Sequence, residues 1–266
     1  MAETPTSPAA LISSIAAILN AIAWPCVALW FMSTHRARIA FLLKVFGRKL
    51  SLARKLKVWQ LELDEFEEEV EEAVSQAEAG VSDDFPSKSV PKSQVEAAKS
   101  LGDKIRMADI PESRVRDTVR REIYGLAKEY EITRASGSSS TQRTRKMNAI
   151  AAGMRTLAIA GKGLRTELTK SDSVGRRLAA ICMLQVEPRP RYFRWLIERV
   201  KTESQPFVFY QAAVAILEMV RKKLYINPDD ARSEITAALN VISSFQGGPP
   251  DQNTIAALNE ALQLLT

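Results

Sequence analysis

The chain has 266 residues, 46% of them hydrophobic, and 37 Lys and Arg against 31 Asp and Glu give a formal net charge of +6. The single His, His35, lies next to the apolar run 11–32, so we do not interpret it as the base of a Ser or Cys nucleophile, and a metal site usually needs several ligands in register. We therefore expect no catalysis, no metal and no cofactor. Much of the positive charge falls within residues 33–57, so it does not indicate a nucleic-acid partner.

The first feature in chain order is an apolar run over residues 11–32, LISSIAAILNAIAWPCVALWFM. At about 1.5 Å per residue, a helix of this length measures about 33 Å, enough for a hydrocarbon core of about 30 Å. A cleaved signal peptide would need a basic start, and residues 1–9 hold no Lys or Arg. The run predicts a transmembrane helix over 11–32 behind a short external N-terminus, 1–10. A buried core helix is the alternative.

Charge predicts the orientation of this helix. Segment 33–57 carries basic residues and no acid, whereas Glu3 is the one charged residue before the run. By the positive-inside rule, the N-terminus is outside and the C-terminal part is cytoplasmic, at a bacterial inner membrane. The basic residues would contact lipid headgroups, or else belong to a solvated stalk that continues the membrane helix. They are Arg36, Arg38, Lys44, Arg48, Lys49, Arg54, Lys55 and Lys57.

An acidic stretch follows over residues 62–72, where Phe66, Val70 and Val74 form a narrow apolar stripe at helical spacing. We predict one juxtamembrane helix over 33–79, basic and amphipathic and then acidic. Its stripe suits a coiled-coil seam. The basic and acidic blocks could pair between neighbouring copies, or they form a solvated face. Gly, Pro and Ser mark 80–110 as a linker with weak helical character.

From Pro111 onward the chain reads as a series of helices separated by short Pro, Gly, Ser, Asn and Asp breaks, and no stretch alternates at period two. The predicted helices are 112–134, 142–161, 172–186, 191–203, 206–223, 229–245 and 252–265.

Two of these helices match at an offset of 33 residues. Leu178–Leu184 parallels Gln211–Leu217, and residues 191–200 between them carry the large apolar side chains of a partner helix. This pattern resembles HEAT-like repeats on a single-pass bacterial membrane protein. The resemblance implies a surface that binds other macromolecules. The spacing is irregular elsewhere, so a compact helical bundle stays open. The predicted fold class is all-α, with one transmembrane helix, a juxtamembrane helix and a cytoplasmic HEAT-like domain over 111–266.

A basic cluster flanks the Ser-rich loop 136–140 at a predicted helix start, where it could hold a phosphate or an acidic partner. A solvated helix end is the alternative. The cluster comprises Arg134, Arg143, Arg145 and Lys146. The two cysteines, Cys26 and Cys182, lie in apolar surroundings, and we interpret both as buried small hydrophobic residues.

Three functional hypotheses follow. The first is a membrane-anchored, non-enzymatic protein that binds a partner protein at the cytoplasmic face of the membrane. The second is a membrane-perturbing effector of a defence or toxin-like system, which is triggered through the helical domain and oligomerises through its membrane helix. The third is an enzyme with an unrecognised site among scattered acids such as Glu198, Glu203 and Glu218. Self-association in the second hypothesis would use Ser13, Ala16, Ala17, Asn20 and Ala21.

Overall fold

Helices supply the regular structure of residues 64–80, 89–108, 110–137, 139–244 and 251–266, the part of the chain that the computed structural model describes. None of these residues lies in a β-strand, which confirms the prediction of an all-α protein. We number the α-helices in chain order: α1, 64–79; α2, Lys92–Met107; α3, Glu112–Ala135; α4, Ser140–Thr156; α5, Arg165–Thr169; α6, Val174–Val186; α7, Phe193–Thr202; α8, Pro206–Arg221; α9, Pro228–Ser243; and α10, Gln252–Gln263. Short 3₁₀ helices, Lys162–Leu164 and Pro190–Tyr192, precede α5 and α7.

The predicted fold class needs a correction, because none of these helices is both long enough and apolar enough to cross a bilayer. The longest, α3, has 24 residues and carries charged side chains along its whole length. The very apolar α8 has 16 residues, short of the roughly 20 that a span requires. The described fold is therefore all-α, without the transmembrane helix that the prediction included.

Several predicted sites lie outside the described residues. They are the external segment 1–10, the apolar run 11–32 with its self-association residues Ser13, Ala17, Asn20 and Ala21, and the eight headgroup residues Arg36, Arg38, Lys44, Arg48, Lys49, Arg54, Lys55 and Lys57.

The acidic helix α1 packs into the core through its apolar stripe. Phe66 is 3% exposed and Val70 is fully buried. The acids beside the stripe bind neighbouring helices: Glu67 accepts a 2.7 Å hydrogen bond from Nη2 of Arg121, and Lys104 forms a 2.8 Å ion pair with Glu69. Since α2 also buries Leu101 in this core, residues before 111 and after it share one hydrophobic cluster.

Helices α6 and α8 form the centre of the fold. Every residue of α8 from Val208 to Leu217 is buried, and α6 is buried from Leu178 to Val186. The two helices contact each other; α3, α4 and α5 pack on α6, and α7 and α10 pack on α8. These are the helices that match at an offset of 33 residues. Ten helices packed in this way are compatible with a helical-repeat-like fold.

One backbone approach fixes how α3 crosses α6. A Cβ atom on Gly175 would lie 2.2 Å from the carbonyl oxygen of Ala127, so only glycine allows the helices to come this close. Next to this contact, Ser173 caps α6 by accepting from the Arg176 amide, and Glu131 of α3 accepts from the Gly175 amide at 3.1 Å. The start of α6 is therefore held against the middle of α3.

Candidate functional site

A cavity of about 410 Å³ opens where four helix ends meet, the C-terminus of α3 and the N-termini of α4, α8 and α10. We call it the Arg134 cleft. Its lining residues are Arg134, Arg143, Thr144, Met147, Asn148, Pro206, Phe207, Tyr210, Asp251 and Asn253.

The cleft contains half of the basic cluster that the sequence predicts. Arg134 and Arg143 lie on its wall, at opposite ends of the short loop between α3 and α4. Lys146 is instead in an ion pair with Glu129 of α3, with Nζ and Oε1 2.9 Å apart. Arg145 is exposed and is not among the lining residues.

Apolar residues line the part of the cleft that we call its floor. The floor consists of Met147, which is 6% exposed, together with Pro206 and Phe207 at the start of α8. The Phe207 ring packs against Tyr130 with centroids 5.8 Å apart, and the Tyr130 hydroxyl donates to Oε1 of Gln205 over 2.7 Å. These contacts fix the beginning of α8 against α3, and they keep the floor in place.

Unpaired donors face the cleft. The Asn148 side chain is 3% exposed, and no hydrogen bond to it is found among the described residues. Helix α8 has no side-chain cap, and its first residue, Pro206, has no N–H to offer. The amide of Phe207 likewise finds no acceptor within the described ranges. A helix N-terminus with free amides favours a negatively charged group.

One acidic residue, Asp251, lies in the cleft and caps α10 by accepting from the Asn253 amide at 3.2 Å. It also accepts a hydrogen bond from the Thr254 hydroxyl. Burial raises the pKa of Tyr210 to about 12, with Asp251 adding to the rise and Arg155 opposing it. The Tyr210 hydroxyl on the cleft wall is therefore protonated at neutral pH.

A buried cation, Arg155, interacts electrostatically with Tyr210 from inside the core. Its side chain is 2% exposed, and burial lowers its pKa. Three amide oxygens accept from it: Oε1 of Gln185 at 2.6 Å, of Gln94 at 3.0 Å and of Gln211 at 2.7 Å. No acidic side chain of the described structure pairs with this guanidinium, so its charge adds a positive potential near the cleft.

Several residues of the cleft were not among the site residues predicted from the sequence. Thr144 and Asn148 are four residues apart and directly follow Arg143 in the sequence. This spacing places the two side chains on one face of a helix, and it was the local signal that could have identified them. Tyr210 and Asp251 come to the cleft only through the packing of α8 and α10, which no local pattern reports.

The other residues that could act as metal ligands or catalytic groups do not form a common site in the described structure. Among the described residues, no three His, Cys, Asp or Glu side chains lie close enough to hold a metal ion. Cys182 is fully buried, as predicted, and burial raises the pKa of its thiol to about 11. Glu203 is 5% exposed and binds Arg177 through two hydrogen bonds of 2.6 and 2.9 Å, an arrangement that ties α6 to the end of α7.

Comparison with known proteins gives no match to the chain among protein-family models, curated proteins or solved structures.

Proposed function

We propose that the helical region is a non-enzymatic protein-binding module whose Arg134 cleft receives an acidic group of a partner protein. The observation that carries this proposal is the cleft itself, where two arginines stand over an apolar floor at the meeting point of three helix N-termini. Arginine binds carboxylate and phosphate groups through paired N–H donors, which suits it to recognition of acidic groups.

The arrangement of the central helices supports the same proposal. Helices α6 and α8, which carry the matching segments, are neighbours, and α7 lies between them in sequence and packs on α8. We propose that this helix pair is HEAT-like. Stacked helical hairpins offer extended surfaces for macromolecules, so a partner protein suits this fold.

Charge complementarity would make recognition by the cleft dependent on Arg134 and Arg143. A double substitution, Arg134→Glu with Arg143→Glu, reverses both charges on the wall. Arg114→Glu with Arg116→Glu is the matched control, because both residues are exposed at the start of α3 and the change in net charge is the same.

The test is affinity capture by the full chain from a lysate of the source cells, with bound proteins quantified by mass spectrometry. We expect a protein that the wild type and the α3 control both recover, and that the cleft variant loses by about tenfold or more, since rim charges of this kind control association and its salt dependence. Equal recovery by the cleft variant would contradict the proposal. Circular dichroism of both variants verifies that they are folded.

A further inference from the structure

The charges around the Arg134 cleft exceed what one carboxylate can neutralise. Arg134, which lines the cleft, makes no hydrogen bond or ion pair with any described residue. Arg155 adds a buried charge, each of the three helix N-termini adds about half a positive charge, and the C-terminus of α3 subtracts about half a charge. Among the described residues that line the cleft, Asp251 is the single acid. A surplus of positive charge therefore remains after Asp251 is counted.

The unpaired donors point to a ligand with several acceptor oxygens. The nearly buried Asn148 side chain and the Phe207 amide both lie at the cleft without hydrogen-bond partners in the described structure. A ligand that enters the cleft can accept hydrogen bonds from both of these groups. With Arg134, they offer donors from three different helices. A planar carboxylate has two oxygens with which to meet them.

We infer that the group bound in the Arg134 cleft is a phosphate monoester. This inference rests on the proposed function, in which a partner protein carries the group. A phosphorylated side chain has a charge of about −1.5 to −2 at neutral pH and three strong acceptor oxygens. The floor of Met147 and Phe207 gives the carbon atoms next to the ester an apolar surface.

The test titrates the full chain, at low salt, with capped phosphoserine, capped glutamate, inorganic phosphate and sulfate, using calorimetry. At pH 7.5 capped phosphoserine should bind at least about tenfold more tightly than capped glutamate, because charge-assisted hydrogen bonds to a dianion are the stronger ones. Equal affinity for the two, or no saturable binding of phosphoserine, would overturn the inference. Binding of inorganic phosphate without binding of phosphoserine would overturn it too, since the ester would then not fit.

Acidification separates a dianion site from a general anion site. Between pH 7.5 and pH 5 a phosphate monoester loses most of its second charge, because its second pKa is about 6. Affinity for phosphoserine should fall several-fold more than affinity for sulfate, which keeps both charges. A parallel loss for sulfate and phosphoserine would contradict the inference.

A nearly isosteric variant identifies the site. Asn148→Asp introduces a negative charge at the unpaired donor and should abolish phosphoserine binding, while Asn240→Asp, on the exposed face of α9, should leave it unchanged. Thermal unfolding of both variants establishes that they are folded, and Arg134→Gln supplies a second cleft variant that removes charge without burying a new one. Unchanged phosphoserine binding in both cleft variants would overturn the inference.

The two proposals fail in different ways. If capped glutamate binds as well as phosphoserine while capture of the partner still depends on Arg134 and Arg143, the phosphate inference is wrong and the proposed function stands. If the cleft variant recovers the partner as well as the wild type does, the proposed function is wrong, whatever the titrations show.

Discussion

The guanidinium of Arg155 donates from Nη2 to the side-chain oxygen of Gln211 over 2.7 Å, joining α4 to α8 in a fully buried contact between a cation and an amide. Gln185 donates from Nε2 to the same oxygen over 2.9 Å. The Nε2 group of Gln211 has no hydrogen-bond partner among the residues that the structure describes. Within the described part of the core, a buried cation without an acidic partner therefore lies next to an amide donor without an acceptor.

Replacing Gln211 by glutamate should remove both defects. The change keeps an oxygen for Arg155 and Gln185, replaces the unpaired donor by an acceptor and gives the buried cation a counterion. We expect Gln211→Glu to raise the free energy of unfolding at pH 7 by about 1 kcal/mol, the usual net value of one hydrogen bond. The gain should shrink below about pH 4, where carboxylates become protonated. Urea unfolding at both pH values measures it.

Gln211→Leu is the matched opposite change. It removes the acceptor of Arg155, so it should lower the free energy of unfolding by about 2–3 kcal/mol, as expected for a lost hydrogen bond to a buried charge. A variant with leucine as stable as the wild type would show that Arg155 does not depend on this contact.

The close crossing of α3 and α6 predicts opposite effects for two glycine substitutions. At Gly175 a methyl group would meet the backbone of Ala127 at 2.2 Å, and backbone cannot move aside as a flexible side chain can. Gly175→Ala should destabilise the fold by about 3 kcal/mol, at the upper end of ordinary overpacking. At Gly125, in the middle of α3, no described atom outside the surrounding backbone of α3 lies within 4 Å of the added methyl.

Gly125→Ala should instead stabilise the fold by about 0.5–1 kcal/mol, because alanine favours a helix over glycine. Both values come from the midpoints and slopes of urea unfolding curves. Similar effects of the same sign at the two positions would contradict the helix crossing described here.

The lowered pKa of Glu167, a partly exposed residue of α5, predicts a pH dependence of the free energy of unfolding. A hydrogen bond from the Tyr124 hydroxyl, followed by a hydrogen bond from Arg120, holds the pKa of Glu167 below its ordinary value, while burial opposes this. A carboxyl whose pKa is lowered by folding stabilises the folded state above its unfolded pKa of about 4.3, and that stabilisation is lost as the pH falls through the folded pKa.

Glu167→Gln should therefore lower stability at pH 7 and have little effect below about pH 3. The loss should stay under about 1 kcal/mol, because the side chain is 43% exposed and water screens the interaction. Glu96→Gln, at an exposed glutamate of α2 with no hydrogen-bond partner among the described residues, should show no such dependence. An effect of Glu167→Gln that is the same at pH 3 and pH 7 would argue against the Tyr124 contact.

The local sequence pattern predicted which segments form helices better than it predicted which helices pack against one another. The spacing of Phe66, Val70 and Val74 identified the buried face of α1, but periodicity does not tell what a face packs against, and the stripe meets the domain core. Arg134 and Arg143 were found because a short loop brings them together. Arg155 had no such signal, since a charged residue in a helix ordinarily faces water.

The packing of α1 leads to the last prediction. If Phe66 is part of the core, Phe66→Ala leaves a cavity in the hydrophobic cluster and should cost about 3–4 kcal/mol in the full chain. Glu68→Ala, on the exposed face of the same helix, should change stability by less than about 0.5 kcal/mol. A helix that projects from the domain as a solvated stalk would give small effects for both. A large loss for Phe66→Ala alone, within one cooperative unfolding transition, requires that α1 unfolds together with the core.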